Sequence, residues 1–394
     1  MTVISAMDIG GIPILIGDAL LNAPTGAEPR PHEAIPTVSN FSAVRFTNKN
    51  RRISGLRNKL AVINPLNLAV GWTGPLKESS DVIEYLRSHL STSPDTQEIE
   101  RHLQRVRPLI GHAKVVLIGC VASPGQRPSI FKWRGEDGEF EKGPFFVEGT
   151  GADTLKAQYQ RRSTSPIDLS HVQLFGVETA GILLSHEITE GANLPEFFGG
   201  GFDIAYYEER AFRRPRSVAH IFLKAVVGPK GFHVRPSPTS LWQTFDGEWV
   251  IERIDFAAEN LRIGERLRTS ITHKTFARIK LIIPELPAPA LSSEAHTDFL
   301  SVTTSFSLGN YEVLELGQTF SRPHPRIDIA RDDKEIELCL TAAFMERLNA
   351  DKKRNLDNAE TRAQIKKGLA QHPHLRMIAS EFDRVADAPL TFGD

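Results

Sequence analysis

The residue with the most chemical potential in this chain is Thr2. It follows the initiator methionine, and a small second residue normally permits methionine removal. The mature chain is therefore expected to begin with threonine. A terminal threonine holds a hydroxyl nucleophile and a free α-amine in one residue. That amine titrates near ~7.7–8.0, so it can act as its own general base. Taken alone, Thr2 reads better as the plain first residue of a strand. Asp18 alone reads as a strand-end turn residue, and Lys59 as a solvent-exposed strand start. Gly149-Thr150-Gly151 lacks the rest of a dinucleotide fingerprint. His186-Glu187 has no second histidine at zinc spacing and reads as a helix-surface pair.

The elements that must position these residues are legible as patterns. Val3-Ile4 and Ile12 to Ile16 flank Gly10-Gly11, a strong hairpin signal, and Asp18 closes the second strand. Lys59 to Gly74 reads as two strands around an Asn64-Pro65 turn, followed by a helix over 75–90 with apolar residues at 82, 83, 86 and 90. A second, more polar helix runs over 95–107. Lys114 to Val121 is a buried strand, and Ile130 to Trp133 is its partner. Phe145 to Gly149 is a strand that leads through the glycine turn into a helix over 152–162. A long helix spans about 170–190, and strands follow at 202–207 and 217–227. Asn22 to Asn40 is rich in Pro and small polar residues and reads as a long surface loop. A strand is expected at 41–46 and a solvated basic turn at 49–52. Arg213 to Arg216 reads as loop surface.

In order, these features resemble proteasome β subunits and the bacterial proteasome-like peptidases, which are N-terminal nucleophile (Ntn) hydrolases. Thr2, Asp18 and Lys59 fall on the family's positions, and Ile63-Asn64-Pro65 sits where many β subunits carry the same turn. The resemblance covers about residues 2–228, with an insertion at about 22–50. It implies an α+β fold, a four-layer αββα sandwich. It also implies a mechanism in which Thr2 Oγ attacks a carbonyl while the Thr2 amine takes the proton. Lys59, held by Asp18, would lower the nucleophile's pKa. A backbone N–H at Thr73, or one residue on at Gly74, would stabilise the oxyanion. Thr150 would help orient the terminal amine. Gly71 falls where the family shapes its main specificity pocket, and the missing side chain would leave that pocket roomy. The family's Asp and Ser near the next glycine turn align here with Pro195 and Phe198, so Glu196 is the nearest carboxylate that could substitute.

Three functions follow from the resemblance. One is a threonine-type peptidase acting on peptides or unfolded proteins. It would be a homo-oligomer with its sites facing a chamber, an arrangement compatible with an unfoldase partner. Another is an Ntn amidase acting on a small amide. The third is a catalytically inactive scaffold subunit. Pro195 and Phe198 favour the scaffold; Thr2, Asp18 and Lys59 favour the enzymes. No cofactor and no metal are expected.

Residues 229–394 have no counterpart in the family. Strands are expected at 241–245, 249–254, 276–283, 302–308 and 311–316, a rigid break at 284–289, and helices at 332–348 and 360–385. This part reads as a strand-rich extension ending in helices. Of the 394 residues, 24% are charged, and the net charge of −1 offers no electrostatic case for nucleic acid or an anionic membrane. The two cysteines, Cys120 and Cys339, form no disulfide framework, which points to a reducing compartment. Asp8 and Asp18 interrupt the first apolar run, so it is a poor signal peptide, and no segment is long enough to span a bilayer. A cytoplasmic protein is expected.

Overall fold

The computed structural model describes residues 2–24, 35–37, 51–162, 172–190, 193–228, 231–257, 262–283, 298–308, 311–321, 324, 326–371 and 376–392. The chain is a mixed α/β protein that divides into two compact units. The first is Met1–Ser217 with two later returns, Gln243–Glu252 and Phe276–Ala290; the second is Val218–Trp242, Arg253–Thr275 and Leu291–Asp394. The first unit is not one continuous stretch.

The elements of the first unit are, in order, β1 (Val3–Ile9), β2 (Ile12–Asp18), β3 (Leu20–Pro24), β4 (Arg51–Leu56), β5 (Leu60–Ile63), β6 (Leu68–Thr73), α1 (Leu76–His89), α2 (Thr96–Ile110), β7 (Val116–Val121), β8 (Ser129–Arg134), β9 (Phe140–Lys142), β10 (Phe145–Gly149), α3 (Ala152–Arg162), α4 (Val172–Glu190), β11 (Phe202–Glu208) and β12 (Ala211–Arg213). One sheet runs β10-β1-β2-β11-β12 and a second runs β5-β6-β7-β8-β9, with β3 and β4 paired apart. Alternation along each strand sends one set of side chains to each face. Ile4, Ala6 and Leu15 of the first sheet meet Leu60, Val62, Ala69, Ile118 and Ile130 of the second in one core. The other face of the second sheet, with Val70, Trp72, Leu117 and Trp133, packs on Val82, Ile83, Leu86, Ile99, Leu103 and Val106 of α1 and α2. Each such Leu, Ile or Val contributes about 1.5–3 kcal/mol when fully buried. Helices α3 and α4 lie against β10, β1, β2 and β11.

Helix α2 begins where Asp95 caps it: its side chain accepts from Glu98 N at 2.7 Å. Helix α4 has a different character. Val177, Ala180, Leu183 and Leu184 are buried on one side and Ile182 on the other, so the helix is apolar on more than one side. A third core joins Ala19, Leu20, Ile35, Ile53 and Leu56 to Leu194 and Phe197, and to Trp249, Ile251, Ala277 and Ile279 from the two returns. Two expectations change here. Ile35 and Thr37 of the expected surface loop are buried. Arg51 and Arg52 open strand β4 instead of forming a solvated turn, because the backbone there pairs with β3. The expected strand at 41–46 and the break at 284–289 lie outside the described residues.

The second unit is built on a nine-stranded sheet. Its strands are β13 (Ser217–Gly228), β14 (Gly231–Phe245), β15 (Trp249–Phe256), β16 (Arg266–Ile279), β17 (Phe299–Leu308), β18 (Tyr311–Ser321), β19 (Ile327–Arg331), β20 (Glu335–Leu340) and β21 (Thr391–Phe392), and its helices are α5 (Ala342–Leu356), α6 (Ala359–Ala370) and α7 (Arg376–Asp387). The strand order is β18-β17-β13-β14-β15-β16-β20-β19, and β21 adds to β14. Strand β13 pairs in parallel with β17 and so does not close the first domain as expected. The helix expected over 332–348 begins only at Ala342. Residues 335–340 form a strand because Ile336, Leu338 and Leu340 alternate inward, and Asp332 turns the chain by accepting from Lys334 N and Glu335 N, each at 2.7 Å. The core of this unit holds Ile221, Leu223, Phe306, Phe344, Leu348 and Val385 among others.

Among the described residues no helix is long and apolar enough to cross a membrane. Cys120 and Cys339 are both free thiols.

Candidate functional site

Thr2 enters β1, Asp18 ends β2 and Lys59 leads into β5, so two hairpins from different sheets bring the three side chains together. The Thr2 hydroxyl donates to Asp18 Oδ1. The Lys59 ammonium donates to Thr2 Oγ1, to Asp18 Oδ1 at 2.8 Å and to the Leu20 carbonyl. Its three N–H groups thus meet three oxygens. Asp18 is gripped on both oxygens. Oδ1 also accepts from Val3 N at 2.9 Å, and Oδ2 accepts from Leu20 N at 3.2 Å and Gly199 N at 3.0 Å. Thr2, Asp18 and Lys59 are 2%, 0% and 1% exposed, so these bonds act away from bulk water. Burial pulls the Lys59 amine below the ordinary lysine value, while the charge and hydrogen bond of Asp18 oppose that pull. A lysine held this way sits nearer to proton exchange with an adjacent hydroxyl.

The Gly149-Thr150-Gly151 turn lies against the Thr2 main chain. Thr150 Oγ1 and Gly151 N each approach the Thr2 carbonyl oxygen at 3.5 Å, so Thr150 addresses the carbonyl of Thr2. Gly149 has φ +109°, and a Cβ there would overlap that same carbonyl. Thr73 ends β6 one residue beyond Trp72, whose N–H donates to the Lys59 carbonyl at 3.1 Å. Gly74 follows with φ +116°. Gly71 pairs with Leu60, and a Cβ on it would come within 2.9 Å of Leu60 Cδ2 and 3.4 Å of Ile4 Cβ. The space beside Gly71 is therefore taken up by core side chains. Glu196 is exposed on a short 3₁₀ turn, Leu194–Glu196, as is Pro195. Phe198 is fully buried, its ring in the space a Gly151 side chain would need.

A second carboxylate stands behind Asp18. Glu187 of α4 is 1% exposed; its Oε1 accepts from the Thr37 hydroxyl and from Gly200 N at 2.8 Å. Consecutive N–H groups of Gly199 and Gly200 thus serve two different acids. Burial is the main force raising the Glu187 carboxyl to about 7; the Asp18 charge adds to the rise, and the bonds from Thr37 and Gly200 oppose it.

A buried ion pair flanks Lys59. Arg214 Nε lies 3.0 Å from both carboxylate oxygens of Asp203. Arg214 Nη2 donates to the Leu60 carbonyl at 2.6 Å, and Asn58 Nδ2 donates to Asp203 Oδ2. The Arg214 guanidinium stands 5.6 Å over the Phe245 ring. Burial raises the Asp203 carboxyl, with the Arg214 charge opposing. Asp18 and Asp203 are each taken by a cation of this chain, so neither is a ready ligand for a metal ion.

No protein-family model matches the chain, and no curated protein matches it. The chain is similar to a solved Anbu structure. That structure, the Anbu (Gly-1) mutant from Hyphomicrobium sp. strain MC1, is 17% identical over 55% of this chain and 85% of its own, with a TM-score of 0.38.

Sequence reasoning missed Glu187, Asn58, Asp203 and Arg214 as parts of this neighbourhood. Glu187 was open to detection: a carboxylate in the last turns of a helix with no polar face has nowhere to go but inward. The helix-surface reading of His186-Glu187 is therefore corrected at Glu187. Arg214 sits in the cluster read as loop surface, yet its side chain is 3% exposed.

Proposed function

We propose that this chain is an N-terminal-threonine hydrolase of the Ntn type, cleaving the amide bond of peptides once Met1 is removed. The observation that carries this reading is the Lys59 ammonium on Thr2 Oγ1 within a fully buried Asp18–Lys59 pair. In the proposed reaction Thr2 Oγ bonds to the substrate carbonyl carbon and its proton passes to the Thr2 amine. The C–N bond breaks as that proton is delivered to the leaving amine, and water then hydrolyses the Thr2 ester. The Lys59 charge favours the alkoxide as it forms. The N–H of Thr73 or Gly74 is the proposed oxyanion donor. The stacking of two sheets between α1–α2 and α3–α4 supports a four-layer αββα sandwich for this unit. Glu196, exposed on its turn, takes no part.

A second reading is favoured by one observation. Phe198 is buried against Gly151 and Pro195 is exposed, so the turn supplies neither a hydroxyl nor a carboxylate to Thr2. On that reading the chain is an inactive scaffold with a retained charge pair.

N-terminal sequencing together with a peptide epoxyketone or β-lactone probe separates the two. The enzyme reading expects Thr2 as the first residue and one probe added per chain in the wild type, with none in Thr2→Ala. Retained Met1, or equal labelling of Thr2→Ala, would sink it. Light scattering tests the proposed homo-oligomer larger than a dimer. A monomer across a wide concentration range would move the substrate from peptides in a chamber to a small amide.

A further inference from the structure

We propose that the Asp203–Arg214 ion pair is a positioning device for Lys59, fixing the chain on both sides of the lysine so that its ammonium stays on the Thr2 hydroxyl. The inference rests on the reading above for its catalytic consequence, and on geometry alone for its structural one.

Lysine has a four-carbon stem with several rotatable bonds, so a buried ammonium is directed only as well as its backbone is held. Here both neighbours of Lys59 are tied to the same pair. Asn58, before it, donates to Asp203 Oδ2. Leu60, after it, accepts from Arg214 Nη2 at 2.6 Å. Asp203 lies on β11 opposite Gly17, and its neighbour Phe202 pairs with Asp18. The device is therefore anchored to the strand that carries the partner of Lys59, and it references lysine and aspartate to one frame. The planar guanidinium is suited to this because it can grip a carboxylate through Nε and still spend Nη2 on a carbonyl. The pair is buried, with Arg214 and Asp203 side chains 3% and 0% exposed, so water does not compete for these bonds.

Two variants remove one arm each without leaving an unpaired buried charge. Asn58→Ala removes the bond before Lys59. Arg214→Lys keeps a cation on Asp203 but loses the fork to Leu60. Arg253→Lys weakens another ion pair, Arg253–Asp255 at 2.8 Å in the second unit, and is the control. The first readout is the rate of Thr2 labelling by the electrophile. Asn58→Ala and Arg214→Lys are expected to slow it at least about tenfold, with probe affinity changed less than about twofold. The slowing should vanish in the Lys59→Ala background, because the pair acts through Lys59. The control should label at the wild-type rate. The second readout needs no activity. The ¹³Cε resonance of Lys59 in the full chain is titrated by NMR, and its midpoint should move by at least about half a pH unit in both variants and not in the control. An unmoved midpoint, or slowing that persists undiminished without Lys59, overturns the inference. A wild type that fails to label while the midpoint still moves overturns the hydrolase reading and leaves the positioning role standing.

Discussion

Lys59 Nζ lies 2.8 Å from Asp18 Oδ1, and both side chains are shut off from solvent. A charge pair in that setting is stabilised mainly by being complete, since either partner alone would be a buried, uncompensated charge. Asp18→Ala is therefore expected to cost about 3–5 kcal/mol and to abolish Thr2 labelling. Lys59→Met should slow labelling severely but leave a measurable rate, with a smaller loss of stability, because Asp18 keeps its donors from Thr2, Val3, Leu20 and Gly199. Urea unfolding and probe mass spectrometry on the same preparations give both quantities. Asp18→Ala labelling at the wild-type rate would remove the pair from the chemistry.

Glu187 should make the first unit sensitive to pH from the acid side to neutrality. Its carboxyl moves from 4.5 when unfolded to about 7 when folded, so the folded state holds the proton more tightly. The contribution is complete below about pH 4.5 and is lost as pH rises through about 7. The loss is of the order of 3 kcal/mol. Glu187→Gln keeps the shape without the ionisation and should flatten that slope. Its stability relative to wild type should rise between pH 5 and pH 8 in urea titrations. Parallel pH profiles for the two proteins would show that Glu187 does not ionise in this window.

His220 works in the opposite sense in the second unit. Burial lowers the ring to about 3 from an unfolded value of 6.5, so the folded state carries it neutral. Its contribution is present above pH 6.5 and is lost as pH falls toward about 3. Replacing it with Gln should therefore delay acid unfolding, followed by circular dichroism between pH 7 and pH 3. An acid transition at the same pH in both proteins would assign the lability to other groups.

Gly149→Ala tests how tightly the main chain of Thr2 is held. The new Cβ would overlap the Thr2 carbonyl at a backbone angle, φ +109°, that side chains rarely adopt. The expected cost is at least about 2 kcal/mol, with loss of labelling as Thr2 is displaced. Gly125→Ala is the comparison, since φ is +74° there with nothing within 4 Å. It should cost only about 1–2 kcal/mol and leave labelling intact. Equal labelling in both variants would mean the site tolerates movement of Thr2.

What the sequence revealed, and what it concealed, divides along sequence distance. Helices α1 and α2 were legible because their apolar spacing and the Asp95 cap are local signals. The convergence of Thr2, Asp18 and Lys59 was expected only through the resemblance to proteasome β subunits, since each residue alone reads as an ordinary strand or turn residue. Asn58, Asp203 and Arg214 carry no local mark. Asp203 and Arg214 are 11 residues apart, but Asn58 lies 145 residues from Asp203 and Leu60 lies 154 from Arg214, and only the fold brings these together. Strand β20 was misread because its alternating Glu and apolar residues sit beside a true helix, and the charged run blurred the change of period. Glu187 was misread because a histidine–glutamate pair suggested a polar face that α4 does not have.

The two returns of the chain also bear on how this protein can be dissected. Trp249, Ile251, Ala277 and Ile279 fill the same core as Leu20, Leu56 and Phe197. A stop codon at the apparent domain end would thus delete part of the interior of the piece it was meant to isolate. The N-terminal fragment 1–228 would carry Thr2, Asp18 and Lys59 with a hollow beside Leu20, whose carbonyl receives the Lys59 ammonium. A workable minimal protein needs the two returning segments grafted back through short linkers, and a shortened expression clone that proves inert would say nothing about the chemistry of Thr2.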